Sequence, residues 1–149
     1  MNIKNMTKII TKTDQSSSSL SLRLTAGVLF TAHGAQKLFG WFGGYGLEGT
    51  GQWMESIGLA PGYLMASLAG SAEFFGGLLL ILGLLTRPTS FVLVITMIVA
   101  IFSVHIDNGL FMAANGYEFA LALLAISASL MFSGAGKLSL DNALVQRLA

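Results

Sequence analysis

Four stretches of the chain are apolar over lengths that cross, or nearly cross, a bilayer: Leu20–Phe39, Tyr63–Leu85, Pro88–Asp107 and Tyr117–Phe132. A spanning helix needs ~20 largely apolar residues. The first window carries Arg23, His33 and Lys37. Arg23 and Lys37 lie near its opposite ends, where each is expected to snorkel to its own interface. The fourth window is short and draws on Ala113 to Gly116 before it. Pro61 and Pro88 fall where a first-turn proline is tolerated, and Gly134-Ala135-Gly136 closes the last window. The pattern predicts an all-α fold: an integral membrane four-helix transmembrane bundle over residues 20–141. A polar tail (1–19) precedes it and a short tail (142–149) follows.

In the first tail Lys4, Lys8 and Lys12 recur every fourth residue while Ile3, Met6, Ile9 and Ile10 fall on another face. That spacing suits a basic helix on an anionic membrane surface, or equally a disordered basic tail. No apolar core or small-residue cleavage site follows the lysines, so it does not read as a secretory signal. With four spans, Lys4, Lys8, Lys12, Arg23, Arg87, Lys137 and Arg147 share one side; Lys37 stands alone on the other, among Glu48, Glu55, Asp107 and Glu118. The positive-inside rule then predicts both termini in the cytoplasm, with Arg23 and Arg87 anchoring that end.

Composition agrees with a lipid environment. Charged residues make up 10% of the 149-residue chain, against roughly 25% in soluble domains. Cysteine is absent, which excludes disulfides, thiol redox chemistry and thiolate metal sites. The basic residues are sparse and membrane-proximal, which argues against nucleic acid as a partner. The glycine-rich connection from Gly40 to Gly62 is expected to hold a short helix capped by Thr50 and running through Ile57. Its Trp53, with Trp41 and Phe42, suits the headgroup layer. Ser139 is placed to cap a terminal amphipathic piece carrying Leu140, Leu144 and Leu148.

The costly residue is Glu73, in the middle of the second window. At ~1.5 Å per residue it lies about 15 Å below the outer boundary, near the midplane. His33 comes next at about 9 Å, and Lys37, His105 and Glu118 lie within about 5 Å. Glu73 has Ala69 and Gly70 on one side and Gly76 and Gly77 on the other, a stripe suited to close helix packing. Ala122, Ala125 and Ser129 follow Glu118 as a second small stripe, expected to face inward as well. The arrangement predicts a buried polar pocket of His33, Lys37, Glu73, His105 and Glu118, with Glu73 paired to His33 in the first place and to Lys37 as the alternative.

Three roles suit such a cluster. Intramembrane polar residues glue helices at ~0.6–2 kcal/mol per contact. His33, Glu73, His105 and Glu118 offer nitrogen and oxygen ligands for a metal, although the Glu-x-x-His spacing of bundle metal sites is missing. The third is proton-coupled binding of a quinone or another small redox ligand. Walker, HExxH and GxSxG motifs do not occur.

The chain resembles the DoxX family of small bacterial membrane proteins from about Leu20 to Asp141. The resemblance rests on Arg23…Phe30, then His33-Gly-Ala-Gln-Lys37-Leu-Phe-Gly40, and Gly70-Ser-Ala-Glu73 with Gly76-Gly77. It continues through Gly83-Leu-Leu-Thr-Arg87, His105, Asn115-Gly-Tyr-Glu118 and Gly134-Ala-Gly-Lys-Leu-Ser-Leu-Asp141. It implies a four-helix protein of the bacterial inner membrane, with relatives that include a subunit of thiosulfate:quinone oxidoreductase. On that basis the chain is expected to be redox-associated, binding a quinone or serving as an oxidoreductase subunit. No cofactor-attachment residue is evident and no enzyme activity is carried over. The alternative is a non-catalytic scaffold or small-solute carrier, and either role is compatible with a homo-oligomer.

Overall fold

The structure, a computed structural model, describes residues 17–148. The Lys4–Lys12 pattern lies outside them. The described residues form six α-helices: α1 (Ser18–Phe39), α2 (Gly46–Ser56), α3 (Gly62–Leu82), α4 (Thr86–Ala100), α5 (Glu118–Ser133) and α6 (Leu140–Leu148). A π-helical turn, Ile101–His105, and a 3₁₀ turn, Ile106–Asn108, prolong α4. A second 3₁₀ turn, Met112–Ala114, leads into α5. No strand occurs among the described residues.

Two continuous helical stretches, Gly62–Leu82 and Thr86–Asn108, are long and apolar enough to cross a membrane, and α5 is a shorter apolar helix. Their outward faces carry large apolar side chains. On α4 and its extension these are Phe91, Val92, Ile95, Ile98, Val99 and Phe102. A soluble monomer rarely exposes so continuous an apolar surface; lipid is the solvent that suits it.

The core runs along the inside of the helices through Ala26, Phe30, Leu80, Leu93, Met97, Ile101, Ala120, Leu123 and Leu130. The most extensive packing joins α1 to α3, followed by α4 to α5 and α2 to α3. Glycines set the α1–α3 separation. A Cβ added to Gly34 would lie 2.7 Å from the Phe74 Cα, and one at Gly77 would lie 2.6 Å from the Gly27 carbonyl oxygen. The two backbones therefore touch where any side chain would hold them apart.

Several expectations shift. Helix α3 stops at Leu82, short of Leu85, because Gly83 turns left-handed (φ 64°) and ends the ladder. Helix α2 begins at Gly46, so Thr50 is not its cap; it is buried inside the helix, near the Lys37 carbonyl. On α5 the buried face is Ala120, Leu123, Ser127 and Leu130, while Ala122, Ala125 and Ser129 are exposed. The buried face thus alternates small and large residues and is not the one that carries the small stripe. Ser139 does cap α6: its hydroxyl accepts from the Asn142 N–H at 3.1 Å.

Substitution at Gly34 measures the close approach. Gly34→Ala should lower thermal stability by about 1–3 kcal/mol or more, as overpacking does. Gly76→Ala, whose Cβ would meet only Leu93 and Thr89 side chains at 3.3–3.4 Å, should cost much less. Equal melting temperatures for the two variants would contradict this packing.

Candidate functional site

Glu73 is buried on the face of α3 that meets α1, and its carboxylate is bound by Lys37, with Nζ 2.6 Å from Oε2. The side chains are 5% and 24% exposed respectively. Of the two partners the sequence offers, the structure shows Lys37 and not the favoured His33. A Cβ at Gly70 would sit 3.3 Å from the Lys37 Cβ, so the lysine starts level with Gly70, and its stem must run along α3 to Glu73. Three residues of helix amount to ~4.5 Å, within a lysine's reach. Gly70 has no side chain, and Leu38 packs beside the lysine into the space this leaves. Lys37 thus points inward from its end of α1 instead of snorkelling outward.

Beside this pair lies a cavity of about 260 Å³. Its apolar walls include Phe30, Met97, Phe119 and Leu123, and its polar side chains include His33, Lys37, Glu73 and His105. The His33 ring packs on Phe119 with centroids 5.5 Å apart at 50°. The His105 Nδ1 lies 2.8 Å from the Asn115 carbonyl oxygen. Four of the five predicted pocket residues therefore meet at one cavity. Glu118 does not line it: its Oε1 accepts from the Met112 N–H at 2.6 Å, tying down the loop before α5. No three His, Asp or Glu side chains among the described residues converge as a metal-ion site, so His33, Glu73, His105 and Glu118 do not form the ligand set considered from sequence. Glu73 is committed to an ammonium and Glu118 to a backbone amide. A shallower depression of about 530 Å³ lies beside α2. Its Glu55 is already engaged, accepting from the Gly62 N–H at 2.7 Å.

A second polar cluster closes the opposite end of the helices. Arg23, expected at the interface, is fully buried. Its Nη2 donates to the Leu138 carbonyl at 2.6 Å and Nη1 to the Leu80 carbonyl at 3.4 Å. Carbonyls freed at the end of α3 and in the chain before α6 thus accept from two of the guanidinium nitrogens, while the buried Nε has no hydrogen-bond partner among the described residues. Asp141, equally buried, accepts from the Leu85 and Thr86 N–H groups at 2.8 and 2.9 Å and so caps α4 from a distant segment. Sequence reasoning missed this cap because its two halves lie far apart in the chain. Arg87 is half-buried at the same end, where its Nη2 donates to the Phe132 carbonyl at 2.6 Å.

Apolar outward faces around an internal polar cavity define an all-helical membrane protein. The DoxX family model matches residues 18–106, and the chain belongs to the DoxX family. An uncharacterized Haemophilus influenzae protein is 36% identical over 128 residues, covering 81% of this chain and 86% of its own. A Bacillus subtilis protein named "Putative oxidoreductase CatD" is 37% identical over 123 residues, 83% and 84% of the two chains. An uncharacterized membrane protein of Mycobacterium tuberculosis is 32% identical over 141 residues, 87% and 83%. No solved structure matches the chain.

The ion pair can be tested by a double-mutant cycle. Removing one member of a buried pair leaves an uncompensated charge, at a cost of up to ~3–5 kcal/mol. Lys37→Met and Glu73→Leu should each destabilise the protein, the first more, since it strands the more deeply buried charge, whereas an unpaired Lys37 retains some exposure. The double variant should recover much of the loss. Strict additivity in thermal melts would show the two side chains to be uncoupled.

Proposed function

We propose that this chain is a redox-associated protein of the bacterial inner membrane that binds a quinone or similar small redox ligand in the Lys37–Glu73 cavity, alone or as a subunit of an oxidoreductase complex. The observation that carries the reading is convergence: His33 and Lys37 from α1, Glu73 from α3 and His105 from the extension of α4 meet on one apolar-walled cavity. Few polar groups among apolar walls is the usual make-up of a small-molecule site. The volume, about 260 Å³, is below the ~300–1,000 Å³ of drug-sized pockets, so it suits a single ring, and any long isoprenoid tail would lie outside. The ligand would supply the electron chemistry. The chain's own part is to hold the ring between Phe30 and Phe119, offer Lys37 N–H groups to a ring oxygen, and exclude bulk water. The name carried by the Bacillus subtilis relative favours the same direction.

In this reading α1, α3, α4 with its extension, and α5 cross the bilayer as a four-helix bundle. The Arg23 end and both termini face the cytoplasm, and the cavity lies in the outer half. Arg87, Lys137 and Arg147 lie towards the Arg23 end, as the positive-inside rule asks. The competing role, a scaffold or solute carrier, draws support from the fact that Lys37 satisfies Glu73 without any ligand.

Binding separates the two. Protein in lipid nanodiscs should bind duroquinone saturably, and Glu73→Gln and His33→Ala should each weaken it about three- to tenfold. Variants that lose only thermal stability while binding is unchanged, or a wild type that does not bind, would favour the structural role. Orientation has its own test, since the chain lacks cysteine. Gln52→Cys, exposed on α2, should react with a membrane-impermeant maleimide in intact spheroplasts. Gln146→Cys, exposed on α6, should react only after permeabilisation; the opposite pattern would invert the topology.

A further inference from the structure

His105, part of the cavity lining, lies on an uncommon backbone feature. Four residues of α-helix turn ~400°, so positions four apart drift by about 40° per step. From Ile101 to His105 the helix widens into an i→i+5 turn, which takes back that drift. His105 therefore stays in line with Met97 and Ile101, the buried positions one and two turns before it. Turns of this kind are rare and recur at functional sites.

His105 is also fixed in its hydrogen bonding. Its Nδ1 lies 2.8 Å from the Asn115 carbonyl oxygen. A carbonyl only accepts, so Nδ1 carries the proton. The same oxygen accepts from Asn108 Nδ2 at 3.3 Å, and Asn115 itself holds a left-handed backbone (φ 62°) that asparagine tolerates. In the neutral ring the free edge of His105 is then a bare Nε2 lone pair. Asp107, two residues on, is exposed, and Glu118 is occupied by the Met112 N–H. The cavity thus offers an acceptor at His105 and, at Lys37, ammonium N–H groups beyond the one bonded to Glu73.

We infer that His105 is the ligand's hydrogen-bond acceptor, and that the cavity takes a hydroxylated ring, the reduced quinol-type form, in preference to the dicarbonyl form. This deepens the ring-binding function proposed above and rests on it. A hydroxyl donates to Nε2 at one side of the ring, and an oxygen across the ring accepts from Lys37. A quinone carbonyl would instead set its lone pairs against those of Nε2. Moving the histidine proton to Nε2 would transfer the same conflict to the Asn115 carbonyl.

Anaerobic titration of protein in nanodiscs with duroquinol and with duroquinone tests the assignment. Wild-type protein should bind duroquinol about tenfold more tightly than duroquinone. His105→Phe should abolish that preference by weakening duroquinol alone, and His105→Gln, whose amide oxygen can accept, should restore part of it. Equal affinity for both rings, or a preference that survives His105→Phe, would overturn the inference and leave ring binding intact. Failure to bind either ring would overturn both. Should the variants not fold, nitrogen NMR of His105 in the wild type decides: a proton on Nε2 rather than Nδ1 would contradict the assignment.

Discussion

The carboxylate of Glu73 lies in the middle of an apolar helix, where neither water nor lipid can stabilise its charge, and a cation has to be brought to it through the protein. Lys37 does this along a path that exists because α1 and α3 touch backbone to backbone. Gly34 and Gly77 set that separation, and Gly70 leaves room for the Leu38 side chain and the base of the Lys37 side chain. A buried ion pair is a poor source of net stability, because desolvating both charges consumes most of their attraction. What it supplies is register. With α1 and α3 locked at this level, His33 is set against Phe119 of α5 and the cavity between them takes its shape.

At the other end the same problem is solved with backbone groups. Arg23 is enclosed by carbonyls released where α3 terminates and where the chain approaches α6. Asp141 fills the amide donors exposed where α4 begins. Between the two polar ends lies a mainly apolar stretch of Phe30, Leu80, Leu93 and Leu130, with the buried hydroxyls of Ser90 and Ser127. The C-terminal helix is consequently part of the fold, since it delivers the carboxylate that caps α4. The Lys37 end, by contrast, opens on a cavity roofed by Met112, Asn115 and Gly116 from the loop before α5. One end of the molecule is closed by its polar groups, and the other presents them to a space.

Much of this was legible in the amino-acid pattern. Hydropathy located the long apolar segments, the small residues around Glu73 marked a close helix contact, and Ser139 marked the start of α6. The misreadings have physical causes. Depth counted along a helix axis places Cα atoms, and a lysine stem spans more than a helical turn, so Lys37 reaches Glu73 from a position that counting left near the surface. Small residues after Glu118 imitate a packing stripe, yet a different face of α5 enters the core, carrying Ala120, Leu123, Ser127 and Leu130. Asp141 capping α4 and Arg23 meeting the Leu138 carbonyl are tertiary contacts between distant segments, and helical periodicity carries no trace of them. His105 was identifiable as a candidate, but its role depends on a widened turn and on a backbone carbonyl that no residue type announces.

The Lys37–Glu73 contact can be observed directly. Solid-state NMR on protein in lipid bilayers, with lysine Nζ and glutamate Cδ isotopically labelled, should show a strong dipolar coupling that disappears in both Lys37→Met and Glu73→Gln. If Glu73 instead couples to a ring nitrogen of His33, or to neither residue, the lysine does not cross to α3 and the cavity is not organised as described.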